Sequence, residues 1–123
     1  MRATSDEMAV ELEVGDIHTK GEVWGGQSVR HIQLPAGADL RPLLAGLPGD
    51  RCSCPHWGYV LAGSITLRYA DGDEETSRAG DLFYWPGEHT AWTDEGVTFI
   101  ELSPAHEIQP VLEHLGAQLA AAT

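Results

Sequence analysis

Basic residues are scarce in this chain: Lys plus Arg number 7 against 19 Asp plus Glu, a formal net charge of −12 with histidine neutral. A surface with that excess repels phosphate backbones and anionic headgroups, so neither nucleic acid nor a membrane surface is expected as a partner. No apolar run approaches the roughly 20 residues that a membrane-spanning helix requires. The stretch Met1-Arg2-Ala3-Thr4-Ser5-Asp6-Glu7 also lacks the apolar centre of a signal peptide, and the expected location is cytoplasmic. The only cysteines are Cys52 and Cys54. A bond between them would close a loop so short that the unfolded chain loses little entropy, and no structural disulfide is expected. In a reducing compartment such thiols are metal ligands, redox groups or buried apolar atoms. Also missing are a Ser-His-Asp arrangement, a phosphate-binding loop and a dinucleotide glycine signature, which removes sequence support for hydrolysis, phosphoryl transfer and hydride transfer. With no internal repeat, low-complexity tract or linker, nothing marks a second domain.

What is present is a globular composition, 42% hydrophobic and 21% charged over 123 residues, enough for one core. Met8, Val10, Leu12 and Val14 alternate with polar neighbours and predict an outer strand within 6–20. Ser28 to Leu34 alternates again, with Arg30, Ile32 and Leu34 on one face and Val29, His31 and Gln33 on the other. Asp39 is a plausible N-cap for a short helical turn through Leu40, Leu43 and Leu44, with Pro42 tolerated near its start. Ile65, Leu67 and Tyr69 alternate, and Leu61-Ala62-Gly63-Ser64 is short enough to turn an antiparallel hairpin. A polar strand over Glu74 to Arg78, an apolar one over Leu82 to Trp85, and strands over Thr90 to Thr93 and Val97 to Leu102 follow, separated by Gly, Pro and Asp turns. This is the pattern of an antiparallel barrel or sandwich. Beyond Ser103-Pro104, Ile108, Val111, Leu112, Leu115 and Leu119 recur at three and four. They predict an amphipathic helix, with Pro110 near its first turn, that lies on the barrel's own flank or on a second subunit.

The chain is organised around Arg51-Cys-Ser-Cys-Pro-His-Trp-Gly-Tyr-Val-Leu-Ala-Gly63. In an extended segment Cys52, Cys54 and His56 line one face while Ser53, Pro55 and Trp57 line the other. Three metal-ligating side chains then point the same way, although two buried thiols serve equally as core filler. Trp57 and Tyr59 should face outward and pack or form an interface.

Tyr59-Val-Leu-Ala-Gly63 followed by Ala79-Gly-Asp-Leu-Phe-Tyr-Trp-Pro-Gly-Glu-His89 resembles the two motifs of the cupin superfamily, over roughly Asp50 to Pro104. The resemblance implies an all-β, cupin-type jelly-roll antiparallel barrel. The single domain then spans 1–123, with the barrel over about 7–103 and a C-terminal helix over about 105–121. Many cupins hold one metal ion through two histidines and a glutamate of the first motif and a histidine of the second. Counting back from Gly63, His56 falls at the glutamate, Cys52 at the second histidine and Asp50 at the first. His89 is the second-motif histidine, reached by a shorter approach than is usual in the family.

Cys54, His56 and His89 are thus the expected ligands, with Cys52 as the fourth. The mixed thiolate and imidazole set suits zinc first and copper, nickel or iron as alternatives. Glu101, on the strand face of Val97 and Phe99, is the candidate acid or base, with Tyr84 and Asp50 as further proton relays if they face inward. Trp85, Trp92 and Phe99 would wall the pocket. His18, His31, His106 and His114 have no partner pattern. Two functions stay open: a metal-dependent enzyme doing acid-base chemistry (isomerisation, cyclisation or hydration) on a small organic molecule, or a noncatalytic module that binds a small ligand or holds a structural metal. A homodimer is expected from the amphipathic helix and the outward aromatics.

Overall fold

In the computed structural model, which describes residues 1–122, eight strands and two helices follow the predicted punctuation closely. The strands are β1 (Ala9–Val14), β2 (Ile17–Trp24), β3 (Gln27–Leu34), β4 (His56–Tyr69), β5 (Glu74–Arg78), β6 (Leu82–Trp85), β7 (His89–Trp92) and β8 (Val97–Pro104). The helices are α1 (Arg41–Leu44) and α2 (Ala105–Ala122). All strand pairs are antiparallel. One path of pairing runs β1-β2-β3-β8-β4-β5, while β6 and β7 both join β4. The architecture is a jelly roll whose hydrogen-bonded ladder does not close into a full ring.

The 14-residue β4 is the hub. Its first half pairs with β8 and β6, and its second half with β5 and β7. The expected hairpin at Leu61 to Ser64 is therefore absent. The register shifts between Val60 and Ala62, Gly63 adopts φ +74°, and the strand bends from one sheet into the other without reversing. Bulges and positive-φ glycines increase local twist, which is what a strand serving two sheets needs. A Cβ at Gly63 would run into the Gly96 backbone, so glycine also permits the close approach of β8.

The predicted outer strand within 6–20 is two strands, folded at Gly15 with φ +56°. A register shift between Val10 and Leu12 turns their side chains to opposite faces. Val10 is 60% exposed as a result, while Leu12 reaches the interior. Asp39 does not cap α1 from the N-cap position, which Leu40 holds; its Oδ1 accepts the Arg41 N–H at 3.0 Å and its carboxylate pairs with the Arg41 guanidinium. Pro110 lies inside α2, which begins at Ala105, just past its first turn.

Two apolar clusters fill the fold. One, inside the sheets, joins Ile32, Leu34, Val60, Ile65, Leu67, Trp85, Ala91, Val97 and Phe99. The other joins Leu44, Cys52, Cys54, Ile108 and Val111 and seats α2 against its own chain. His114 Nε2 and Gln118 Nε2 each bond to the Ala45 carbonyl, at 2.7 and 2.9 Å, and tie α2 to the end of α1. The amphipathic face of α2 is thus spent within the subunit. Among the described residues no helix is long and apolar enough to cross a membrane.

Candidate metal centre

The segment between α1 and β4 is not a strand; it touches the sheet through a single bridge, Cys52 to His89. Cys52 N–H donates to His89 O at 2.9 Å, and the N–H groups of Glu88 and His89 donate to Cys52 O at 2.8 and 3.1 Å. The turn that permits this is tight. Glu88 takes a positive φ of 67°, and a Cβ at Gly87 would strike the Ser53 carbonyl. The shortened approach to His89 therefore delivers this histidine to the side of Cys52. His56 opens β4, opposite Trp85 of β6, and its ring centroid lies 5.0 Å from that of His89.

One donor atom from each of Cys52, His56 and His89 lies within 4.8 Å of the others, and all three residues are buried. His89 Nδ1 bonds to the Pro86 carbonyl at 2.7 Å. That bond requires a proton on Nδ1 and leaves the Nε2 lone pair for a ligand bond. His56 presents Nε2 to Cys52 Sγ at 3.5 Å, while its Nδ1 bonds to Ser103 Oγ at 2.6 Å. Burial lowers the pKa of both rings, and the neighbouring His56 helps bring His89 to about 4. Both imidazoles are thereby held neutral, the form that binds metal. Burial pushes the Cys52 thiol up to about 12, so its proton leaves when a cation stabilises the thiolate. These donors fit a transition metal.

Cys54 stands apart. Its Sγ faces the Pro55 carbonyl at 3.4 Å, and the side chain packs in the cluster beneath α2. Among the described residues Cys52, and not Cys54, groups with the two histidines, although both thiols belong to the apolar cluster beneath α2. Alternation put both on one side correctly, but it assumed an extended segment, and the chain between Cys52 and His56 is irregular.

Glu101 does face inward, on the strand face of Val97 and Phe99. Its Oε2 accepts from Arg30 Nη1 at 2.9 Å, and its Oε1 lies 3.6 Å from His56 Nδ1. Arg30 is buried as well and also donates through Nε to Glu11 Oε1 at 3.0 Å. The other proposed relays do not reach the interior. Asp50 is exposed and accepts the Gly46 N–H, and Tyr84 stacks on Trp57 outside the sheet. Trp85 and Phe99 line the cavity, whereas Trp92 lies under Arg41 and Arg68 and is not part of its wall. Arg30 and Ser103 are site residues that sequence reasoning passed over. Arg30 was already on the face of Ile32 and Leu34, and a guanidinium among inward apolar residues is the signal that would have found it.

The centre opens on a cavity of about 160 Å³. Apolar side chains from the sheets, among them Ile32, Ile65, Ala91 and Phe99, form one side; Leu40, Leu44, Ile108 and Leu115 form the other.

No protein-family model matches the sequence, and no curated protein matches it. Solved structures do match in shape. An RmlC-like cupin from Shewanella frigidimarina NCIMB 400 superposes with a TM-score of 0.60 at 20% identity, covering 85% of this chain and 91% of that one. The fold is that of the cupins. The oxalate decarboxylase of Bacillus subtilis, in a two-residue deletion mutant, gives a TM-score of 0.58 at 17% identity over 83% of this chain. The oxalate decarboxylase of Lactobacillus farciminis, as a formate complex, gives 0.57 at 16% over 83%. This chain spans only 28% and 32% of those two decarboxylases.

Proposed function

We propose that this cupin is a metal-dependent enzyme that performs acid-base chemistry, such as isomerisation, cyclisation or hydration, on a small organic molecule. Zinc is the metal that suits its donors best. The observation that carries the reading is the convergence of Cys52, His56 and His89 on the wall of an apolar cavity with Glu101 beside them. Three protein donors are the complement of catalytic zinc sites, whereas structural sites are closed by four. When bound, zinc supplies Lewis acidity and lowers the pKa of a coordinated water or hydroxyl.

The chain's own groups do the rest. Ser103 and the Pro86 carbonyl fix the orientations of His56 and His89. Glu101, held by Arg30, is the buried carboxylate placed to take and return a proton. Trp85 and Phe99 help exclude water. Oxygen chemistry is less suited to this set, because Glu101 lies outside the ligand cluster and the two-histidine, one-carboxylate face of non-haem iron oxygenases is absent from it.

Protein purified without chelator or affinity metal should carry about one zinc per chain, and the His56→Ala/His89→Ala double variant should carry none. Full metal content in that variant would refute the assignment. Metal-free protein loaded separately with Zn, Fe(II) and Mn should turn over carbonyl, enol or thiol substrates with Zn and without oxygen. Turnover that required iron and consumed oxygen would overturn the reading, and none with any metal would favour the binding module.

A further inference from the structure

Thr19 lies on the inner face of β2, in register with Ile32 and Leu12, and is only 5% exposed. Its Oγ1 has no hydrogen-bond partner among the described residues, and the side chain lines the same cavity as Cys52, His56 and His89. A buried hydroxyl left unpaired is destabilising, so its place among apolar neighbours calls for an atom that meets it. We infer that the cavity takes an uncharged organic molecule about the size of one aromatic ring, bearing an oxygen or nitrogen for Thr19, and rejects small dicarboxylates. The inference rests on the cavity being the substrate site of the proposed function, and it narrows that substrate to a class.

Size sets the first limit. A cavity of about 150 Å³ lined by Leu, Ile and Phe admits benzene, and this one measures about 160 Å³. Charge sets the second. Among the described residues Arg30 is the one guanidinium on the wall, and both Glu11 and Glu101 already bond to it, at 3.0 and 2.9 Å. Two carboxylates against one cation leave a net negative wall, so an entering carboxylate would be desolvated with no free side-chain partner. A divalent ion held by one thiolate adds a single net positive charge, which the surplus carboxylate offsets. The remaining lining is aliphatic and aromatic, which favours an apolar body.

Calorimetric titration of the full chain with phenol, toluene, oxalate and malonate at neutral pH tests this. Phenol should bind roughly 2- to 10-fold more tightly than toluene, the margin of one hydrogen bond, and the dicarboxylates should not bind where phenol saturates. Thr19→Val removes the unpaired hydroxyl while keeping the branched shape, so the variant should fold, bind toluene as before and lose the phenol margin. Oxalate or malonate binding as tightly as phenol, survival of the margin in Thr19→Val, or no binding of either aromatic would overturn the inference. Metal content measured on the same samples separates the two ideas. A chain without metal that keeps the phenol margin fails the metal-enzyme reading alone, and a metal-loaded chain that prefers dicarboxylates fails this one alone.

Discussion

Cys52 and Cys54 are two positions apart and both buried, yet their surroundings assign them different work. Both pack in the cluster with Ile108 and Val111, but Cys52 shares its backbone hydrogen bonds with His89 and faces His56, while the Cys54 Sγ meets the Pro55 carbonyl at 3.4 Å. Removing a first ligand should weaken metal binding at least as much as removing an outer partner, which typically costs tenfold or more. Cys52→Ala should therefore lower zinc affinity by more than about tenfold, measured by competition with a chromophoric chelator. Cys54→Ala should leave that affinity nearly unchanged and cost about 1 kcal/mol in urea unfolding, the scale of a small core truncation. Equal losses of affinity in the two variants would restore Cys54 as a ligand. Composition identified both thiols as candidates, but only the turn at Gly87 and Glu88 decides which one meets the histidines.

Among the elements, β4 carries the site because it belongs to both sheets. It contributes His56 at its start, Val60 at its centre, and Ile65 and Leu67 to the core beyond the bend. The bend depends on Gly63, whose φ of +74° a Cβ opposes and whose open side is filled by the Gly96 backbone. Gly63→Ala should destabilise the fold by about 2 kcal/mol or more, since strain and backbone collision act together. The measurement is the urea midpoint at unchanged m-value. A loss within 0.5 kcal/mol, the range of an ordinary surface change, would mean that the strand bends without this residue. The sequence marks Gly63 as punctuation, and a hairpin is the commoner reading of such a signal. Only the pairing of Ala62 and Gly63 with Thr98 and Val97 shows the strand continuing.

At the scale of the whole molecule, the outer face of β4, β6 and β8 contrasts with a chain of net charge −12. Trp57 pairs across the sheet with Tyr84 and Leu102, and Tyr59 with Leu82 and Ile100. Trp57 is 45% exposed and Leu82 is 83% exposed, so a contiguous apolar patch faces solvent. Such patches mark interfaces, and identical acidic chains attract one another only through a face without charge. The expected assembly is a homodimer through this face, with α2, already seated on its own subunit, taking no part. Light scattering should give the dimer mass at micromolar concentration, and Tyr59→Glu/Leu82→Glu should give the monomer with unchanged circular dichroism. A monomeric wild type would refute it.

The alternation of side chains along β3 and β8, the turn residues between strands and the helical spacing after Pro104 are local properties, and the sequence by itself determined these elements and the faces they bury, though not the bulge that turns Val10 outward or the continuation of β4 through Gly63. Glu101 was legible for that reason, because it shares a face with Val97 and Phe99 on one continuous strand. His56 and His89 were singled out through their distances from Gly63 and Pro86, and the fold brings their rings together. Tertiary structure alone decided what depends on contacts between residues far apart in the chain. The Cys52–His89 bridge joins segments 37 positions apart, and the Arg30–Glu101 pair joins segments 71 apart. That Cys52, and not Cys54, groups with His56 and His89 is likewise decided by the fold. Periodicity states which way a side chain points from its own strand; what it meets there is set by the other strands.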